Sequence, residues 1–199
     1  MDWQEFTALI VLATAMSFSP GPNTTLSTAL AANGGLKRAM RFIVAVPVGW
    51  TLLLVLCAAG IGSLLVAVPA LRLVIKALGI AYLLWLAWKL SRSDTLGSAA
   101  DSQLSIGFGQ GVMLQFVNIK AWLLALTLVA GWIAGQHDAL TRFAIVAPVM
   151  LVYAFGSNLA YAVVGAVLRT WLTKGHRLLW FNRGMAAVLT LTAWWMLGV

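Results

Sequence analysis

Long apolar runs follow one another along this chain, each about the length a helix needs to cross a hydrocarbon core about 30 Å thick. Six segments qualify: Phe6–Ala31, Phe42–Val68, Leu71–Leu90, Phe108–Ile133, Phe143–Leu168 and Leu178–Gly198. The sixth is the weakest, because Arg183 intrudes near its start; an arginine there can snorkel to the interface. The one long polar stretch, Ser91–Gly107 (SRSDTLGSAADSQLSIG), reads as a flexible linker and divides the segments three and three. The chain is therefore expected to be a single transmembrane domain over 1–199, with a first half 1–90, a cytoplasmic linker 91–107 and a second half 108–199. A half with an odd number of spans inserts upside down relative to the half before it. Arg41–Val48 (RFIVAVPV) and Arg142–Val149 (RFAIVAPV) open the second helix of each half and share Arg, Phe, Pro and Val at an offset of 101 residues. The expected fold class is an all-α integral membrane protein, with six transmembrane helices arranged as two inverted three-helix repeats.

Composition agrees with that pattern. Of 199 residues, 62% are hydrophobic and 9% charged, against about 25% charged in soluble domains. A domain this small cannot hide such an excess in its core. The first apolar run follows Asp2 and Glu5 rather than a basic region, and five more runs come after it, so it is expected to stay as a membrane helix.

The net charge of +8 does not point to nucleic acid, because the 13 Lys and Arg lie in small groups between apolar runs. It carries topology instead. With the N-terminus outside, the cytoplasmic side holds nine basic residues: Lys37, Arg38, Arg41, Lys89, Arg92, Arg169, Lys174, Arg177 and Arg183. The outer side keeps three, Arg72, Lys76 and Arg142. This bias puts both termini outside an inner membrane, and it lends weak affinity for anionic lipid. Ten Trp suit the interface, with Trp85 and Trp88 as an aromatic belt at the cytoplasmic end of the third segment. Cys57 is the one cysteine, so neither an internal disulfide nor a cysteine metal cluster can form.

The candidate chemistry lies at mid-membrane. Ser17–Thr25 reads SFSPGPNTT, and two prolines flanking a glycine cannot continue an α-helix. The carbonyls so freed are tolerable only against protein or a wet cavity. Pro22 suits the first position of a new half-helix, which would leave the amides of Asn23, Thr24 and Thr25 unpartnered and suited to a carboxylate. The plainer reading is a kink held by Ser and Thr. In the fourth segment, Lys120 sits near the centre of the membrane, where it costs roughly 2.5–3.5 kcal/mol and must face the interior with a partner. It is either a lock that donates to the carbonyls freed at Pro20–Pro22 or a ligand contact. Asn118, two residues away, shares a cavity with it only if the helix is irregular there. Tyr153, Ser157 and Asn158 form a third polar patch, read first as packing between helices with Gly156 and Gly165 beside it. Pro47 and Pro148 read as kinks. The candidate substrate-binding residues are thus Pro20, Gly21, Pro22, Asn23, Thr24, Thr25, Asn118, Lys120 and Asn158.

Asp2, Glu5, Asp94, Asp101 and Asp138 all lie at a terminus or in loops, so no proton relay of buried carboxylates is visible. His137 and His176 fall in loops, with His137 and Asp138 expected to be a solvated pair. No nucleophile and base pair, metal cluster or phosphate loop can be assembled, so no enzyme, cofactor or metal is expected.

With these residues in place, the chain resembles the LysE/RhtB superfamily of amino-acid exporters along nearly all its length. The motifs are Ser19–Asn23 (SPGPN), Gly79–Lys89 (GIAYLLWLAWK), the Asn118–Lys120 triplet and Phe181–Gly184 (FNRG). FVNIK together with AYLLWLAWK looks most like the branch exporting cysteine and O-acetylserine. Most members carry Pro between that Asn and Lys, where this chain has Ile119, so the fourth helix is free to be continuous. Asn23 stands where many relatives carry Asp, which leaves coupling to Lys120, the substrate's own amine or another ion. The resemblance implies efflux driven by the proton gradient. The expected partners are a small amino-acid substrate, protons as coupling ion, membrane lipid and, as an option, a second copy of the chain. A channel or assembly scaffold is the alternative class, with a membrane-embedded enzyme behind it. A channel would show a continuous polar stripe, whereas the polar residues here cluster at mid-depth.

Overall fold

The computed structural model describes residues 1–93 and 105–198, so most of the expected linker, with Asp94 and Asp101, lies outside the described residues. All regular elements described are helices: α1 (Trp3–Phe18), α2 (Pro22–Gly34), α3 (Leu36–Ala58), α4 (Ile61–Ala67), α5 (Pro69–Ser91), α6 (Phe108–Val117), α7 (Ile119–Leu128), α8 (Ala139–Leu172) and α9 (Arg177–Gly198). A π-helical turn, Val129–Ile133, continues α7.

The first expected segment is divided. α1 stops at Ser19, extended at ψ 140°, and α2 restarts with Pro22 in its first position. The second expected segment also ends early. α3 finishes at Ala58, Gly60 turns the chain at φ +92°, and α4 is a separate helix of 7 residues. Pro47 and Pro148 both lie inside helices that run on through them. By length and composition, α3, α5 and α8 can each cross a membrane, and α6 with α7 makes a fourth if that bent pair is one span. At 16 residues, α1 extends only about 24 Å and cannot cross alone.

Helix four, which Ile119 left free to be continuous, is broken. α6 and α7 meet at Asn118, whose φ of −89° and ψ of 100° are not helical, and the pair bends by 68°. No proline is needed for this. The indole Nε1 of Trp122 donates to the Phe116 carbonyl at 2.8 Å, satisfying an oxygen near the bend. Gly79 of α5 lies against the next carbonyl, that of Val117, where any Cβ would collide. The local chain needs a glycine opposite the bend, and α5 supplies it.

The helices pair in a regular way. α1 and α2 lie along α8, and α6 and α7 lie along α3; α3 packs on α8, and α5 on α9; α2 also meets α3 and α9. Close approach is made by small residues, as expected in lipid. Gly165 of α8 sits against the Thr28 carbonyl of α2, whereas Gly156 faces open space, contrary to its expected packing role. The core runs in two large apolar bodies and a small third of Ala32, Leu172 and Leu178. Of the large two, one is centred on Phe42, Ile43, Leu86 and Leu114, the other on Leu53, Leu54, Ala125 and Leu128.

Candidate functional site

The break between α1 and α2 frees carbonyls that Pro20 and Pro22 cannot serve, and the fold answers three of them with side chains. The Met16 carbonyl accepts from the Ser19 hydroxyl at 3.0 Å, and the Phe18 carbonyl from the Tyr161 hydroxyl at 2.9 Å. The Ser19 carbonyl accepts from Lys120 Nζ at 3.2 Å, and the same ammonium reaches Ser19 Oγ at 2.6 Å. Lys120 thus donates to a carbonyl freed at the break, one residue before the Pro20–Pro22 stretch, and its ammonium also stands on the cavity wall. The position of its contacts is also where a cavity opens.

That cavity has a volume of about 70 Å³ and lies where the two breaks face each other, between α1, α2, α3, α7 and α8. Roughly 10–15 Å³ suffices for one water, so it holds a few waters or a small solute. Gly21, Pro22, Asn23, Thr24, Asn118, Lys120 and Asn158 line it, as do Ser17, Ser19 and Ser157. Seven of the nine candidate residues are thus brought together. Pro20 is exposed and Thr25 is buried, and neither lines the cavity. The Thr25 amide also closes the first turn of α2 on the Gly21 carbonyl at 3.0 Å, so it is not one of the free amides expected. Thr24 Oγ1 accepts from the Gly21 amide at 3.1 Å and so caps the turn. The other lining is apolar, from Met16, Val46, Trp50, Leu124 and Met150. Among the described residues, no Asp or Glu lines it.

Most of the remaining polar groups are tied to neighbours. Asn23 and Gln115 exchange two hydrogen bonds, Asn23 Nδ2 donating at 2.9 Å and Gln115 Nε2 returning one at 3.1 Å. Ser27 donates to Asn158 Oδ1 at 2.8 Å, while Asn158 Nδ2 donates to the Ala154 carbonyl of its own helix. Tyr153 stands apart from the cavity and accepts from Thr14 Oγ1 at 3.0 Å. Asn118 differs. It is buried, it occupies the N-cap position of α7, and its side chain caps nothing. Its Oδ1 has no hydrogen-bond partner. A capping Asn is worth about 1 kcal/mol, and a buried acceptor left open costs about 1–3 kcal/mol.

Three polar features escaped the sequence reading. Gln115 is fully buried and joins α6 to α2, but one glutamine in an apolar run carries no period or partner that reveals it. Arg142 was read only as an outer charge, and Asp138 as the solvated partner of His137. The structure buries Arg142, whose guanidinium donates to Glu5 Oε1 at 3.0 Å and to Asp138 Oδ1 at 2.7 Å. These bonds hold the Glu5 and Asp138 carboxyls below their usual values and raise that of Arg142. The third feature is a closed amide network. Asn182, inside the FNRG motif, exchanges bonds of 2.8 and 2.9 Å with Asn33 and donates to the Ser93 carbonyl at 2.7 Å, while Ser93 Oγ donates to Asn33 Oδ1 at 3.2 Å.

Comparison with known proteins places this geometry in a group. The family model for LysE type translocators matches residues 14–197. A cysteine/O-acetylserine efflux protein of Klebsiella pneumoniae is 30% identical over 191 residues, covering 94% of this chain and 93% of its own. Proteins of the same description from Salmonella paratyphi A and Escherichia coli are 32% identical over 164 residues and 31% over 154. The former alignment covers 80% of this chain and 76% of the relative, the latter 77% of each. These relatives are efflux proteins, not enzymes. No solved structure matches the chain.

Proposed function

The chain belongs to the LysE type translocator family, and from that premise we propose that it is a secondary exporter of small amino acids or amino-acid-like metabolites, of the cysteine/O-acetylserine kind, across the inner membrane. The observation that carries this reading is the bond from Lys120 Nζ to Ser19 Oγ at 2.6 Å, which joins the two helix breaks over one cavity. Broken helices facing each other at a repeat interface are where secondary transporters hold their cargo. The half-helix start at Pro22–Thr24, the Lys120 ammonium and the Asn23, Asn118 and Asn158 amides would line the substrate, with the two halves rocking around it. Export is driven by the proton gradient, and the substrate and Lys120 are the groups available to carry the coupling charge within the cavity.

The two halves, 1–90 and 108–199 on either side of the linker 91–107, are inverted three-helix repeats of one transmembrane domain. The helix pairing supports this: exchanging the halves turns α1 and α2 along α8 into α6 and α7 along α3, and leaves α3 with α8 and α5 with α9 as self-paired contacts. Residues near a two-fold axis touch their own counterparts. Ser19 and Lys120 are 101 positions apart, the offset that also relates the two Arg-Phe octapeptides. Both termini lie outside, as the basic residues indicate. Counterflow in proteoliposomes with a panel of labelled amino acids, with and without a proton gradient, tests the reading. Exchange of small neutral amino acids, enhanced by the gradient, is expected. No exchange with any member of the panel would overturn it.

A further inference from the structure

We propose that Asn118 is the specificity residue that recognises the ammonium group of the transported zwitterion, a role that rests on the exporter reading above. Asn is among the residues best suited to start a helix, since its side-chain oxygen can take an otherwise unpaired amide of the first turn. Asn118 stands at that position before α7 with an extended backbone, yet its side chain makes no capping hydrogen bond. The residue is 4% exposed, it lines the cavity, and its Oδ1 accepts from nothing. A local rule broken with no local compensation marks a position kept for something else.

The neighbouring groups narrow what that something is. Asn23 is engaged with Gln115, Asn158 with Ser27 and the Ala154 carbonyl, and Lys120 with Ser19. Asn118 is the lining carboxamide left open. An unpaired acceptor calls for a donor. A zwitterionic amino acid offers a donor, its ammonium, and an acceptor, its carboxylate. The Lys120 ammonium suits the carboxylate and repels a second cation. With no Asp or Glu among the described residues of the wall, a neutral oxygen receives the ammonium. Asn118 and Lys120, two positions apart on either side of Ile119, thus read the two ends of the same headgroup. The remaining wall of Val46, Trp50, Leu124 and Met150 is apolar, and it suits a short uncharged side chain. The substrate class is therefore small α-amino acids with both charged groups free.

The test compares ligands that lack one end. Binding to purified protein in nanodiscs is measured for O-acetylserine, for 3-acetoxypropionate (no ammonium) and for 2-aminoethyl acetate (no carboxylate). Wild type is expected to prefer O-acetylserine over 3-acetoxypropionate by about tenfold or more, because a site built to pair a polar group rejects the analogue lacking it. Asn118→Leu should bring that ratio to about twofold or less while preserving the preference over 2-aminoethyl acetate. Lys120→Met should do the reverse. Asn118→Asp, which keeps the acceptor and adds charge, should widen the ammonium preference and serves where the leucine variant does not fold. A ratio unchanged in Asn118→Leu or in Asn118→Asp overturns this role while leaving the exporter reading standing. Wild type that binds neither O-acetylserine nor any of the common amino acids overturns both.

Discussion

Asn23 and Gln115 hold each other by both ends of their carboxamides, so the first turn of α2 is pinned to the last turns of α6. α2 borders the cavity and α6 leads into the bend at Asn118, and this pair fixes their spacing. Gln115→Leu or Asn23→Leu should each destabilise the protein, and the double variant should cost less than the sum of the two. Interhelical hydrogen bonds in membranes average about 0.6 kcal/mol, so a coupling of about 1 kcal/mol is expected for the two bonds, read from thermal unfolding in detergent. Strict additivity would show that the pair is not a functional unit.

Lys120→Met keeps much of the length and the apolar stem but deletes the charge that bonds Ser19. Transport should be lost with a modest change in stability, because Met packs where the stem did. Lys120→Arg, with a larger planar head, should keep at most part of the rate. Transport by Lys120→Met at the wild-type rate, with unchanged melting temperature, would remove Lys120 from the site.

Replacing Pro20 and Pro22 with Ala returns two amides to the chain at the break. The Met16 and Phe18 carbonyls, now served by Ser19 and Tyr161, then regain backbone donors and the helix can close. The double variant should express normally and fail to transport. Wild-type export by it would reduce the break to a kink.

Glu5, Asp138 and Arg142 give the protein an acid-sensitive contact. Both carboxyls are held below their usual values, by the Arg142 hydrogen bonds first. Their stabilising contribution is complete above the unfolded values of about 4 and is lost as pH falls through the lower folded values. Thermal stability should therefore drop below about pH 4 in wild type. Glu5→Gln combined with Asp138→Asn should be less stable at neutral pH and flatter in that acid window. Parallel curves for the two proteins would show that the contact contributes nothing.

The membrane character and the first break were legible because apolar length and the SPGPN motif each carry a direct physical meaning. The second break was not, since Ile119 is helix-compatible and the bend depends on Gly79 and Trp122, which act from outside or beyond the break. Seven of the nine candidate residues line one cavity, whereas Thr25 was chosen for an amide that the Gly21 carbonyl takes up and Pro20 for its part in breaking the helix. Gln115, Arg142 and the Asn33–Asn182–Ser93 network were missed for a shared reason. Apart from Asp138, four positions before Arg142, their partners lie 60 to 149 positions away in sequence, and periodicity registers only near neighbours.

The helix α8 is 34 residues long, about 50 Å, and α1 and α2 follow it from end to end. At its start Arg142 meets Glu5, while at its finish Leu172 packs on Ala32, beside the Asn33 amide network. One end of α8 thus carries an ion cluster, and the bonds described at the other include a network of neutral carboxamides. Ions answer to salt and acid, whereas amides are indifferent to both. Raising the ionic strength should therefore weaken the Arg142 contacts, to the extent that burial leaves them open to screening, and leave the Asn33 amide bonds unchanged.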